Sequence, residues 1–183
     1  MSAPVAKLLV LVGNQFACIK ISGRANFSSS IDFRTLVEEL LQKGYRFFVL
    51  DLSECLLMDS TFLGVLAGFG LKMNDGGSAQ GNGVIELANA NVRVTELLEN
   101  LGVLHLFRIS DKAPAVADCT EVLTPNPCNP TREEITSACL EAHRTLMEID
   151  SKNVDRFKEV TQFMAEDLKK LRAAKKVRSE NQA

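Results

Sequence analysis

One segment carries most of the information about the fold, Val49-Leu-Asp-Leu-Ser-Glu-Cys-Leu-Leu-Met-Asp-Ser-Thr-Phe-Leu-Gly-Val-Leu66. It begins inside an apolar run over residues 45–52, whose lack of clean alternation predicts a central strand covered on both faces. A short loop follows, after which Asp59 or Ser60 is placed to cap a helix whose apolar face begins at Phe62. We expect the Ser60 hydroxyl to face solvent beside the positive end of that helix.

Strands and helices alternate on both sides of this corner, which is typical of an α/β domain. Further strands are predicted at residues 8–12, 16–21, 84–87 and 105–109. Helices are predicted at residues 30–43, from Ser60 onward, at residues 94–101 and from Ser110 or Asp111. Residues 22–24 are expected to end the second strand, and the glycine-rich residues 75–83 to form a flexible loop. The pattern predicts a mixed sheet of about five strands with four short helices over residues 1–123.

The character of the chain changes after this domain. Residues 124–130 hold three of the five prolines, which predicts a linker. A capping box starts at Thr131, and two apolar stripes separated by polar residues 150–153 predict a helical extension over residues 131–178. We favour two helices over one bent helix, followed by a disordered tail at residues 179–183. The stripes either fold back on the domain or pair with a second chain as a homodimer.

Composition and charge exclude several classes of protein. The formal net charge is −2, so no overall positive field favours nucleic acid as a direct partner. The longest apolar run near the N-terminus, residues 8–12, is too short for a signal peptide core or a membrane span. The five cysteines are scattered without a C-x-x-C pair, which favours reduced thiols over disulfides or zinc. We predict a cytoplasmic protein without metal or cofactor.

Candidate catalytic groups are few. His105 falls in a predicted strand and His143 on a predicted helix among polar residues, and neither has a spacing to Cys or Ser that indicates a triad. The H-E-x-x-H and P-loop motifs are absent from the sequence. The glycines of residues 76–83 follow a helix and precede a strand, which is the reverse of a dinucleotide fingerprint. The sequence therefore predicts no catalytic residues, and we interpret the chain as a non-enzyme.

Three short motifs around the corner carry a family resemblance: Asp51-Leu-Ser53, Met58-Asp-Ser-Thr61 and Leu63-Gly-Val-Leu66. They resemble the STAS domain, the family of bacterial anti-sigma-factor antagonists and of sulfate-transporter cytoplasmic domains. The resemblance extends in layout over residues 7–123, and the C-terminal helices lie outside it. It implies a STAS-like fold for the α/β domain.

The resemblance also implies a site. In antagonists of this family, the serine after the motif aspartate is phosphorylated by a serine kinase that is also the anti-sigma factor. A PP2C-type phosphatase removes the phosphate again. That serine is Ser60 here, with Thr61 as second choice. The implied partner-binding residues are Asp51, Ser53, Asp59, Ser60, Thr61, Leu63 and Gly64. Phe62 stands where the family often has glycine, and its ring either packs into the core or points outward and obstructs a kinase.

Two functions remain open at this point. The resemblance implies a signalling protein of transcription regulation that binds an anti-sigma factor and releases it on phosphorylation, because a phosphate adds about −1.5 to −2 charges to the contact surface. The alternative is a constitutive scaffold or oligomerisation protein on the same fold, without a switch. In that case Ser60 is an ordinary N-cap, which contributes about 1 kcal/mol.

Overall fold

The computed structural model describes residues 6–74, 83–115 and 118–180, so most of the predicted loop 75–83 lies outside it. The elements in chain order are β1 Lys7–Val12, β2 Phe16–Ala25, α1 Phe27–Gln42, β3 Phe47–Asp51, β4 Cys55–Met58, α2 Ser60–Asn74, β5 Val84–Ala88, α3 Val92–Asn100, β6 Arg108–Ser110, β7 Glu121–Leu123, α4 Arg132–Ile149 and α5 Lys152–Glu180. The predicted class is confirmed: a mixed α/β domain is followed by a helical region.

Within the described residues, the sheet has seven strands in the order β6-β5-β3-β2-β1-β7, with β4 paired to β2. Strands β1 and β2 form an antiparallel hairpin, whereas β2, β3, β5 and β6 run parallel to one another. Because β6 and β7 lie at opposite edges, the chain between them must cross the sheet. Ala113 and Cys119 in that crossing segment pack on one sheet face, against a small buried cluster that includes Val49.

The central strand is covered on both faces, as predicted. Phe48 and Leu50 point into the main core, which lies between the sheet and helices α1 and α2. Val49 points to the opposite face, where the crossing segment covers it. Packing on both faces fixes the end of β3, and with it the position of the corner before α2.

Two boundaries in the first half of the domain differ from the prediction. Strand β2 continues through residues 22–24 to Ala25, because β4 pairs with this end of it around an irregularity at Gly23, where φ is 88°. Strand β4 was not predicted, since it has four residues and one of its leucines, Leu56, is 57% exposed. Helix α1 starts at Phe27 because the Asn26 side chain caps it.

The second half of the domain also differs from the prediction. Strand β7 was not predicted, and together with β4 it brings the described sheet to seven strands instead of about five. A strand was predicted at residues 105–109, but a 3-10 turn occupies Leu104–Leu106 and β6 starts only at Arg108. The small helix predicted from Ser110 or Asp111 is wrong, because residues 112–115 are irregular. These residues start the segment that crosses the sheet, and they do not cover an apolar surface large enough for a helix.

The C-terminal residues form two helices that fold back on the domain. Helix α4 packs along α2, and α5 packs along α4. The pair is antiparallel, as shown by ion pairs from Arg132 to Asp167 and from Arg172 to Glu133. We call α4 and α5 together the helical hairpin. Helix α5 reaches Glu180, two residues into the predicted tail, and residues 181–183 lie outside the described chain.

The corner of the hairpin is attached to the end of α3. The Asn153 side chain is fully buried and donates from Nδ2 to the carbonyls of Leu101 and Leu146, at 2.9 and 2.8 Å. Arg156 donates to the carbonyl of Asn100 at 2.7 Å. The hairpin therefore rests on the domain at three places, along α2, at the end of α3, and on α1, where Arg34 pairs with Glu141 at 2.7 Å. As for a membrane, none of the described helices has the length and apolar character to cross one.

Candidate functional site

Asp59 joins the starts of two helices. Its Oδ1 accepts a hydrogen bond from the backbone N–H of Phe62 at 2.8 Å, which makes Asp59 the N-cap of α2. Its Oδ2 accepts from the backbone N–H of Phe27, at the start of α1, also at 2.8 Å. The carboxylate thus lies at the positive ends of two helices. Since Asp59 supplies the cap, the hydroxyl of Ser60 is not needed for capping.

Ser60 is the first residue of α2, and its hydroxyl contacts the helical hairpin. Ser60 Oγ lies 2.9 Å from Nε2 of His143, which is on α4. The Ser60 side chain is half-buried, and His143 is buried. The prediction that this hydroxyl faces open solvent is therefore wrong for the folded chain. The physical reason is that α4 covers the corner, and the motif segment contains no information on α4.

The proton positions at this contact follow from the second ring nitrogen. Nδ1 of His143 lies 2.8 Å from the carbonyl oxygen of Cys139, one turn earlier in α4. A carbonyl only accepts, so Nδ1 carries a proton. Burial lowers the pKa of His143, which favours the neutral ring. In a neutral ring Nε2 is then an acceptor, and the Ser60 hydroxyl donates to it.

Helix α4 approaches α2 most closely at Gly64. A Cβ on Gly64 would overlap the backbone carbonyl of Ala142, whereas a Cβ on Gly68 would meet only Cγ2 of Thr145, at 3.9 Å. One turn earlier, the Thr61 hydroxyl donates to Sγ of Cys139 at 3.6 Å. Thr61 is 5% exposed, so the second-choice hydroxyl is covered as well. The absence of a side chain at Gly64 allows the two helix backbones to approach.

Two motif side chains point the other way, into the core. Phe62 is fully buried, and its ring centroid lies 5.0 Å from that of Phe33 on α1. Leu63 is 1% exposed within the same core, so its side chain offers no surface to a partner. The ring of Phe62 therefore does not stand in the way of an approaching protein.

Asp51 and Ser53 shape the loop before β4. Asp51 Oδ1 accepts from the Ser53 backbone N–H and from Nδ2 of Asn89, both at 3.1 Å. Asn89 follows β5 and has a positive φ of 57°. Asp51 thus ties together the ends of two adjacent strands, while the Ser53 side chain remains exposed.

His143 is the site residue that sequence reasoning missed. The sequence predicted it on a helix among polar residues, although it directly follows Ala142 and lies four residues after Cys139, both on the apolar stripe of α4. A helix positions residues at i and i+4 on one face, so this spacing could have placed His143 on the buried side. Its pairing with Ser60, at 83 positions' separation, had no signal in the sequence.

Residues 9–115 match the family model of the STAS domain, which covers more than half of the chain. The chain belongs to the STAS domain family. The prediction made from the three motifs is confirmed. The helical hairpin and His143 lie outside the matched residues.

Solved structures of anti-sigma factor antagonists are similar to this STAS protein. One from Mycobacterium paratuberculosis has a TM-score of 0.50 and 15% identity, over 58% of this chain and 86% of that chain. A proposed antagonist from Thermotoga maritima has a TM-score of 0.48 and 23% identity, over 56% and 85%. SpoIIAA in its unphosphorylated form has a TM-score of 0.48 and 14% identity, over 58% and 89%. The match to the structure from Mycobacterium paratuberculosis shows a shared fold. A search of curated proteins finds no significant match.

Proposed function

We propose that this STAS protein is a cytoplasmic, non-enzymatic regulator of the anti-sigma-factor-antagonist kind. Its regulated residue is Ser60, and its partner is a kinase-type anti-sigma factor or a related serine kinase, with a PP2C-type phosphatase as the reverse enzyme. In the forward step, the γ-phosphoryl group of ATP is transferred to Ser60 Oγ. ADP leaves, and the hydroxyl proton goes to a base of the kinase.

The observation that supports this proposal most is that the Ser60 hydroxyl is not needed to cap α2 within the STAS domain. Asp59 caps α2, so the Ser60 hydroxyl is left with His143 as its partner. The first turn of a helix also has backbone N–H groups and a positive end, which suit a phosphate. Among the residues of the expected binding surface, Ser53 is exposed and Asp51, Asp59 and Ser60 are half-buried, whereas Thr61 and Gly64 lie below α4.

The partner-binding role of this corner follows from charge. A phosphate on Ser60 would add about −1.5 to −2 charges next to the Asp59 carboxylate. A partner surface that fits the unmodified corner would then meet two negative groups where it met one. We therefore expect the unmodified form to bind the partner and the phosphorylated form to release it.

Phosphopeptide mass spectrometry of the full chain, isolated from its own host, tests the site. The wild type and the Ser53→Ala variant, which changes a second serine of the corner, are expected to carry phosphate on residue 60. The Ser60→Ala variant is expected to lose it. A Ser60→Ala protein that is modified to the same extent as the wild type would remove Ser60 from the mechanism.

The second candidate is a constitutive scaffold, and one observation favours it. Phe163 on α5 is 74% exposed, beside a shallow groove of about 230 Å³ whose lining includes Phe27 and Met164. The main reason for predicting a homodimer has weakened, because α4 uses its apolar stripe within its own chain. Light scattering on the wild type and a Phe163→Glu variant separates the cases. A dimer in the wild type and a monomer in the variant would favour the scaffold.

A further inference from the structure

We propose that the helical hairpin masks Ser60 in cis, so that docking of α4 on α2 and a phosphate on Ser60 exclude each other. The inference rests on the proposed function in taking Ser60 as the regulated residue, and it adds the device that controls access to it. A kinase or partner would reach the corner only in molecules whose hairpin has left α2, so the unmodified chain binds its partner from that open population.

The first argument is steric. Ser60 Oγ is already at hydrogen-bond distance from His143 Nε2, so a phosphoryl group on Oγ in the observed orientation of the side chain would overlap the imidazole ring. His143 is 5% exposed, and its ring lies between Ser60 of α2 and Phe157 of α5. Its Nδ1 is bonded to the Cys139 carbonyl, and its centroid lies 4.7 Å from the ring of Phe157 on α5. The ring cannot turn aside within the docked hairpin, so α4 itself must move.

The second argument is electrostatic. Burial lowers the pKa of His143, and the Cys139 carbonyl and the Asp59 carboxylate oppose this to a smaller extent. In the unmodified chain this favours the neutral imidazole, which offers no positive charge to an incoming phosphate. Beneath α4 and beside the Asp59 carboxylate, the phosphate would lose water, and the positive start of α2 would offset only part of that cost. Exposure of the phosphate to water would hydrate it and would weaken its repulsion with the Asp59 carboxylate.

The third argument concerns how the hairpin is attached. At the centre of the contact, the close approach depends on the missing side chain of Gly64 below Ala142. At its corner, Asn153 donates to the Leu101 carbonyl, but Asn153 Oδ1 is buried without a hydrogen-bond partner. These contacts depend on alignment, and they add to the apolar burial of Ala142 and Leu146, which belong to the main core. Since α5 packs on α4 along its length, we expect the two helices to leave together.

Cysteines of the chain report on this movement without added probes. Cys139 is 8% exposed and lies between α4 and α2, with Thr61 as its neighbour. Cys18 and Cys55 are buried inside the STAS domain, and burial raises the pKa of each to about 11. Alkylation of Cys139 therefore reports on hairpin docking, while protection of Cys18 and Cys55 shows that the domain remains folded.

A pair of glycine variants tests the docking contact. Gly64→Ala and Gly68→Ala both improve helix propensity, but only the first places a methyl group against the Ala142 carbonyl. We expect iodoacetamide to label Cys139 about tenfold faster in Gly64→Ala, as the cost of overpacking requires, and at the wild-type rate in Gly68→Ala. Equal rates in the two variants would show that α4 does not depend on the close approach, and would contradict the masking contact.

The coupling itself is tested with phosphoserine incorporated genetically at position 60 of the full chain, and at position 53 as a control with the same charge. Cys139 labelling, followed by peptide mass spectrometry, is expected to be faster by about 5- to 150-fold with phosphate at position 60, the usual range of coupling between two sites. The control is expected to label at the wild-type rate. The rates are expected to be independent of protein concentration, as a contact within one chain requires.

Every other outcome overturns the proposal. Unchanged or slower labelling would mean that the phosphate fits beside His143 or pairs with a protonated ring. Labelling of Cys18 and Cys55 as well would mean that the phosphate unfolds the domain. A rate that falls with protein concentration would place the contact between two chains. Because no kinase is used, this measurement stands apart from the proposed function, which fails separately if the host protein carries no phosphate on Ser60.

Discussion

The two faces of helix α2 carry different types of side chain. The face toward α1 and the sheet carries large apolar side chains that are at most 4% exposed: Phe62, Leu66 and Phe69. The face toward α4 carries small or hydroxyl-bearing residues: Ser60, Thr61, Gly64 and Gly68. The first face contributes buried apolar area. The second contributes a close approach of two backbones and a few polar contacts, together with the burial of Ala142 and Leu146 of α4.

The difference indicates which contact belongs to the permanent core. Fully burying a large apolar side chain contributes about 1.5–3 kcal/mol, and this does not depend on one exact geometry. A single hydrogen bond contributes about 0.5–1.5 kcal/mol, and only when its donor and acceptor are aligned. We infer that α2 stays on α1 and the sheet under conditions in which α4 leaves it.

The largest effect is expected at the inner face. Phe62→Ala should lower the free energy of unfolding of the STAS domain by about 3–5 kcal/mol, because it leaves a cavity against Phe33. Urea denaturation measures it. Phe163→Ala, at a phenylalanine that is 74% exposed, is the matched control and should change stability by no more than about 0.5 kcal/mol. Similar losses in both variants would contradict the assignment of Phe62 to the permanent core.

A smaller effect is expected at the point where α1 and α2 begin. Asp59→Ala should cost about 1–2 kcal/mol, because it removes the cap of α2 and leaves the Phe27 N–H without its acceptor. Asp59→Asn keeps one carbonyl oxygen and should cost less. Urea denaturation of the two variants gives the order. If Asp59→Asn is as damaging as Asp59→Ala, the charge rather than the two hydrogen bonds matters.

The outer face should be less sensitive. Ser60→Ala is expected to lower the stability of the full chain by about 1 kcal/mol, because it leaves buried Nε2 of His143 without its donor. In a His143→Ala background the same change should cost less, since the partner is already gone. A double-mutant cycle by urea denaturation checks this. Additive losses would show that the two side chains do not interact in solution.

The smallest effect is expected from pH, and its sign follows from His143. Burial holds the pKa of this residue below the ordinary value of 6.5, so on acidification the undocked or unfolded chain takes up the proton first. The contribution of the contact is therefore complete above pH 6.5 and is lost as the pH falls toward the lower, folded value. The rate of Cys139 labelling, divided by that of a free cysteine at the same pH to remove the loss of thiolate, should rise across this range in the wild type and much less in His143→Gln. Parallel pH profiles would contradict the assignment.

Much of the STAS domain could be predicted because its signals are local. The run around Val49 indicated a strand covered on both faces, and the Asp-Ser-Thr segment ending at Thr61 indicated the start of α2. Strand β4 was missed because four residues with an exposed Leu56 give no periodic pattern. Its existence depends on pairing with the end of β2, which lies about 30 residues earlier in the chain.

The candidate site also has features that the sequence could predict and features that it could not. Residue types and spacing were enough to point to Ser60 as a hydroxyl at a helix start, and to two amphipathic helices after the prolines. Neither could reveal that Asp59 takes the capping role, that Phe62 turns inward, or that His143 covers Ser60. Such facts depend on which helix faces pack together in three dimensions. Local sequence encodes propensity and periodicity, whereas a contact across 83 positions exists only because Gly64 lets α4 approach α2.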